Sequence, residues 1–150
     1  MGEPDIKQYT ITVSYAGNDT IKNFLKEGKY DWVDENITDE NFPVEETDIG
    51  EKEIYFIHFN RTFDNGDQII EALDKTNFKP KNPAPLLALG MKFPDRQRQF
   101  PIAALGQCWL DSCGDRRVVC LDGNLVARRA HLYWFEYRWF ANWRFAVVHK

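Results

Sequence analysis

A chain of 150 residues with 43% hydrophobic side chains can bury a core without disulfides or a structural metal, so a single domain is expected. No apolar run approaches membrane-spanning length and no charged-then-apolar leader opens the chain, which predicts synthesis in the cytoplasm, with display on a virion or cell surface as the other route. The net charge of −4 hides an asymmetry: residues 1–75 hold 18 acidic and 7 basic side chains, residues 76–150 hold 5 and 12. Either the halves neutralise each other in the fold, or the basic half faces an acidic partner.

In chain order, residues 9–15 alternate β-branched with aromatic or polar side chains and predict a strand. Asp19 or Thr20 can cap a short helix with Ile21, Phe24 and Leu25 on one face and Gly28 at its end. The acidic segment from Tyr30 to Gly50, broken by Pro43, predicts an irregular cover pinned by Trp32 and Phe42. Residues 52–59 predict a second strand, with Ile54, Phe56 and His58 on one side and Tyr55, Ile57 and Phe59 on the other. His58 is expected as a satisfied core or interface histidine, because no second ligand is spaced to join it.

Asp64 or Asn65 can cap a helix running to about Lys75 that buries Ile69, Ile70 and Leu73. A second helix starts near Pro83, buries Leu86, Leu87 and Leu89, and is stopped by Phe93-Pro94. Asp95 to Gln99 predict a polar turn, and Phe100 to Leu105 a strand entering the core. The segments CWLDS and RRVVCL, joined by a turn at Cys113-Gly114-Asp115, predict a hairpin, with a second turn at Asp122-Gly123. Residues 124–143 follow neither the helical nor the strand period. Residues 144–149 predict a last strand. The fold class is therefore α+β, two helices beside a small, mostly antiparallel sheet, with 1–105 as scaffold and an irregular region within 106–150.

The chemistry expected is binding without catalysis. There is no Gly-rich phosphate loop, HExxH, GxSxG or CxxC. Cys108, Cys113 and Cys120 have no zinc-ligand spacing and predict free thiols; no metal and no cofactor is expected. A Cys/His nucleophile, from these thiols with His131 or His149, is a weak signal. Residues 131–148 hold eight aromatics among eighteen residues, with two arginines and a histidine. Such side chains build either an aromatic core or a binding surface.

One compositional fact separates the end of the chain from the rest. From Cys108 to His149 there is no Lys, Gln or Met and only one Glu, Glu136, while nine of the ten lysines precede Phe93. Free replacement of the adenines in a pyrimidine-ending Asn codon cannot produce Lys, Gln, Glu, Met or Trp, and it can produce the Arg, Cys, Asp, Val, Leu, Tyr, Phe and His found here. Chance composition of a β-rich segment is the other account.

This arrangement resembles the variable proteins of diversity-generating retroelements, which carry a C-terminal variable region on a C-type-lectin-type fold. The likeness spans about residues 76–150: NFKPKNPAPLLAL is similar to the segment leading into the helix before the variable region, GQCWLDS to the strand opening the lectin-like sheet, and NWRFAVVHK to its closing strand. The chain departs from that pattern in ending on Trp143-Arg144-Phe145 in place of a Gly-Phe-Arg-like sequence. The resemblance implies a C-type-lectin-like scaffold that displays a hypervariable surface to a macromolecular ligand, a protein in the first instance. On that reading Trp109, Trp134, Trp139, Phe145 and Val147 are buried framework. Leu110, Cys113, Cys120, Asn124, Val126, Arg128, His131, Tyr133, Tyr137, Phe140 and Asn142 are exposed, ligand-binding and close together on one face. The alternative is a single-stranded nucleic-acid binder, because basic and stacking side chains interleave over 128–144.

Overall fold

A computed structural model describes residues 3–150. Its first strand, β1 (Asp5–Val13), buries Tyr9, Ile11 and Val13 on one side and leaves the alternate residues in solvent. It begins four residues earlier than the apolar alternation predicts, because its extent is set by its partner β3 (Gly50–His58), with which it pairs antiparallel from Asp5↔His58 to Val13↔Gly50. Helix α1 (Thr20–Glu27) buries Ile21 and Phe24. Asp19 makes no side-chain cap; the Asp39 carboxylate accepts from the amides of Ile21 (2.8 Å) and Lys22 (3.2 Å) instead. A carboxylate at those orphan donors also meets the positive end of the helix. The cover segment contributes the two-residue strand β2 (Trp32–Val33).

Helix α2 (Gly66–Asp74) is capped as its sequence predicts, with the Asn65 side chain accepting from the Gln68 amide at 3.1 Å. Gly66 is required where it stands, since a Cβ there would lie 2.5 Å from the Phe135 ring. After β4 (Phe78–Pro80) comes α3 (Pro83–Lys92), opened by Pro83 and buried on every side from Pro83 to Gly90. A helix without a polar face belongs inside a core, and this one has the sheet on one side and α1 on another. A short helix α4 (Arg96–Gln99) stands where a turn is predicted. The chain ends in β5 (Ile102–Ala103), β6 (Trp109–Leu110), β7 (Arg116–Gly123), β8 (Arg128–Trp134) and β9 (Arg144–His149).

Among the described residues the nine strands form one sheet, in the order β1-β3-β9-β5-β7-β8-β2, with β4 on β9 and β6 on β7. Only β5–β9 and β2–β8 are parallel. Both faces of its centre are covered. One carries Ile11, Ile54, Val119, Leu132 and Ala146 against α1 and α3. The other carries Ile57, Val118, Cys120, Phe145 and Val147 against α2 and the rings of Phe63, Phe135, Trp139 and Trp143. This explains why Ile54 to Ile57 are all buried, as in a strand enclosed on both sides.

The α+β class therefore holds, but the sheet is larger than the small one predicted, and helices flank it on both faces. The physical reason is that two-residue strands such as β2, β5 and β6 are too short to display a period. The last forty-five residues are also less irregular than predicted, since β7 and β8 pair over seven residues from Arg117↔Trp134 to Gly123↔Arg128. Among the described residues no helix is long and apolar enough to cross a membrane.

Charge is neutralised both between and within the halves. Asp48 is fully buried and holds Lys81 Nζ at 2.8 Å while accepting from Asn82 at 3.1 and 3.2 Å, tying the acidic cover to the start of α3. Asp95, Asp111, Asp122 and Glu136 instead pair with arginines of their own half.

Candidate binding surface

The antiparallel ribbon β6–β7–β8 and the turn 135–143 after it hold all eleven residues singled out from the sequence. The β6–β7 turn folds as predicted, with Gly114 in the left-handed region (φ 82°) and the Asp111 carboxylate accepting from the amides of Cys113 (2.9 Å) and Asp115 (3.0 Å). The next turn is displaced from Asp122-Gly123. The ladder continues to Gly123, and Asn124 closes the reversal by accepting from the amides of Val126 (2.8 Å) and Ala127 (2.9 Å). Polar residues at the end of a strand look like a turn in sequence; here Asp122 stays in the ladder because it faces Arg129 across it.

Seven of the eleven are exposed: Leu110, Cys113, Asn124, Val126, Tyr137, Phe140 and Asn142. His131 and Tyr133 are half-buried. Cys120 and Arg128 are buried, which corrects their assignment to the surface. The Cys120 side chain points into the aromatic-lined core, and burial pushes its thiol well above the ordinary range. His131 is its cross-strand partner, yet a neutral, enclosed thiol is a poor nucleophile, so this pairing gives the Cys/His reading no support. His131 turns to Asp122 instead, with Nε2 3.0 Å from the carboxylate but not aligned as a hydrogen bond. Arg128 is drawn inward by backbone acceptors: Nε donates to Pro94 (3.0 Å), Nη1 to Gly28 (2.6 Å), and Nη2 to Gly90 (2.8 Å) and to the Gln97 side chain (3.0 Å).

The framework set divides as well. Trp139, Phe145 and Val147 are buried as expected, but Trp109 and Trp134 are half-exposed. Trp134 keeps one edge in solvent because its ring is packed between partners of the ribbon itself, Tyr137 stacked at 4.8 Å and the Arg117 guanidinium at 4.2 Å.

The exposed residues do not form one cluster. Cys113 and Val126 lie in turns at opposite ends of β7, a strand that spans about 24 Å. One end presents Asn124, Leu125 and Val126, with Leu125 at 93% and Val126 at 87% exposure. Trp32, set beside Arg129 by the β2–β8 register, adds a half-exposed ring there. The other end presents Leu110, Cys113 and Tyr137. Leu125 was not singled out from the sequence, and Trp32, expected to pin the acidic cover as the buried Phe42 does, is exposed instead. For Leu125 the signal was present, an apolar residue in a run of turn formers; for Trp32, inside an acidic irregular segment, there was none.

No known protein family matches the chain, and neither a curated protein nor a solved structure does.

The aromatic stretch 131–148 is thus divided between core and surface. Tyr133 packs at 4.5 Å on Trp139 and 5.1 Å on Trp143, whereas Tyr137 and Phe140 remain more than half exposed. Replacing Tyr137 and Phe140 together by Ala is expected to change unfolding free energy by about 1 kcal/mol or less, the sum of two surface changes. Tyr133→Ala is expected to cost about 2–4 kcal/mol through the cavity it opens. Urea denaturation of the two variants checks the difference; equal losses would erase the division between core and surface.

Among the described residues no group of three or more His, Cys, Asp or Glu side chains is placed to hold a metal ion. Cys108, Cys113 and Cys120 are unpaired thiols.

Proposed function

We propose that the chain is a ligand-binding protein that offers side chains of its C-terminal third to a protein partner. We propose further that these side chains are varied by a diversity-generating retroelement on a C-type-lectin-like scaffold. One observation carries the reading. Of the eight large hydrophobic side chains exposed among the described residues, five (Leu110, Leu125, Val126, Tyr137 and Phe140) fall within residues 110–140. All five are residues that adenine replacement in an Asn codon yields. Single exposed apolar residues need no explanation, but most of these gather at two places, Leu125 and Val126 with Trp32 at one end of β7 and Leu110 with Tyr137 at the other, and such groups point to contact with a partner. Tyr and Phe on a fixed scaffold supply contact area at small entropic cost.

The scaffold part of the reading draws support from where the three segments that carry the resemblance fall. NFKPKNPAPLLAL becomes β4 and the first turns of α3, GQCWLDS becomes β6 and its turn, and NWRFAVVHK becomes β9 at the centre of the sheet. The nucleic-acid alternative has less support, because several of the groups it needs are occupied. Arg128 is buried, Arg129 is held by Asp122, and the Phe135 and Trp134 rings carry the guanidinium groups of Arg116 and Arg117 at 4.2 Å. Phosphate contact requires free cations, and base stacking requires free ring faces.

Sequencing around the gene tests the proposal. The expected result is a reverse-transcriptase gene nearby and a near-copy of the 3′ coding end that differs at adenines. Substitutions among isolates should fall at Leu110, Leu125, Val126, Tyr137 and Phe140 and spare Trp139 and Phe145. Absence of both the near-copy and the reverse transcriptase would remove the retroelement. Salt-dependent binding to unrelated oligonucleotides would favour the alternative.

A further inference from the structure

On the face that carries α1 and α3, the two-residue period of the strands brings the starts of β1 and β9 and the end of β3 to one place. Asp5, Lys7 and Tyr9 alternate on β1, Phe56 and His58 on β3, and Arg144 opens β9 beside them. The segment after α3 closes over this end of the sheet with Arg96, Gln99 and Phe100. Between them lies a cavity of about 530 Å³, within the range of small-molecule pockets. It shares no residue with the surface described above.

Its charge is unbalanced. Lys7, Arg96 and Arg144 face a single carboxylate, Asp5, and among the described residues none of the three cations has an ion-pair partner. Arg144 lies over the Phe100 ring at 4.1 Å and Arg96 over the Tyr9 ring at 6.0 Å, so both guanidinium groups are backed by apolar surface. The Arg96 Nε is buried without a hydrogen-bond partner. Arg144 spends one donor on the Asn142 carbonyl (2.7 Å), and burial pulls its pKa down despite the nearby Asp5 carboxylate. His58 Nε2 is 2.7 Å from the Ala141 carbonyl, which can only accept, so that nitrogen donates and is not free for a ligand. A structural arginine would be expected to have its donors used, as Arg128 does; these two do not.

We propose that this pocket binds a phosphate monoester with an apolar or ring-shaped body. The guanidinium groups of Arg96 and Arg144 match phosphate oxygens in planar, forked geometry, and Lys7 adds a third positive charge. Three cations against one carboxylate leave two positive charges, which a dianionic monoester neutralises and a monocarboxylate does not. Ile6 and Phe100, which keep accessible surface, provide most of the apolar wall for its body, with Tyr9 and Phe56 behind them, and Asp5 accepts from a hydroxyl on it.

Titration calorimetry on the full chain with phenyl phosphate, phenol, benzoate and inorganic phosphate tests this. Phenyl phosphate should bind saturably at one site, and phenol and benzoate at least tenfold more weakly. Inorganic phosphate should compete for the same site with lower affinity. Arg96→Gln and Lys7→Gln should each weaken phenyl phosphate at least fivefold without lowering the melting temperature. Lys7 is an exposed strand residue, so that variant tests the site even where Arg96→Gln disturbs the fold. No binding of phenyl phosphate, or affinity unchanged in both variants, would overturn the site. Benzoate binding as tightly as phenyl phosphate would overturn the assignment to phosphate.

Discussion

Arg128→Ala is expected to destabilise the protein by about 3–5 kcal/mol, the loss typical when a buried, fully hydrogen-bonded charge is removed and its partners are left unpaired. Gly28 follows the last turn of α1, Gly90 lies in the last turns of α3, and Pro94 lies just beyond α3. The Gly28 and Gly90 carbonyls are orphan acceptors at the negative ends of two helices, and the same guanidinium also serves the Pro94 carbonyl. The same group lies 4.5 Å from the Tyr30 ring, whose hydroxyl is itself buried without an aligned partner. Burial raises the Tyr30 pKa to about 12 against the opposing pull of Arg128, so the phenol stays neutral beside the cation. Arg128→Lys should recover only part of the loss, because one ammonium cannot span acceptors arranged for Nε, Nη1 and Nη2. For a chain of this length the Ala variant should melt about 6–20 °C lower. A loss under about 1 kcal/mol by urea denaturation would mean that Arg128 is dispensable, and its removal from the candidate surface would be unjustified.

Arg128 also shows what sequence could and could not reveal. An arginine in a run of surface-like residues carries no local mark of burial; its acceptors lie 31 to 100 residues away in the chain. Strands β3 and β9 and helices α1, α2 and α3 were legible because their apolar periods and caps are local. Strand β8 was not, since Arg128 is polar yet buried and Ala130 is small, which leaves Leu132 as the one large, buried apolar residue to mark that side of the alternation. The cavity between β1 and α4 was equally hidden. Asp5, Lys7, Arg96 and Arg144 come together only through the order β1-β3-β9, which brings the last strand to the middle of the sheet. Of the exposed set, Cys113 was legible because Gly114 and Asp111 mark its turn, whereas Asn124 and Val126 lie in a turn that the polar pair Asp122-Gly123 places too early.

Trp139→Ala is expected to cost about 3–5 kcal/mol, although its chain neighbour Phe140 can be replaced at about 0.5 kcal/mol or less. Trp139 is fully buried, and its ring meets Tyr133 at 4.5 Å, Trp143 at 4.7 Å and Phe145 at 5.7 Å. Its indole Nε1 donates to the Phe135 carbonyl at 3.2 Å, so the one polar atom carried inside is satisfied. Its backbone exchanges two hydrogen bonds with Phe63, at 2.8 and 2.9 Å, which pin the turn to the segment entering α2. Removing the indole opens a cavity among rings that are fixed from several elements and cannot collapse into it. Trp139→Phe should cost less, because it keeps most of the volume and loses the hydrogen bond. Phe140 faces solvent at 58% exposure and leaves no cavity behind. This contrast between adjacent residues is what a varied surface on a fixed scaffold requires. The Trp139 side chain must hold the turn while the Phe140 side chain is free to change. Thermal melting of Trp139→Ala and Phe140→Ala side by side measures it, and a Phe140→Ala loss as large as that of Trp139→Ala would make the whole turn core and leave no room there for a variable surface.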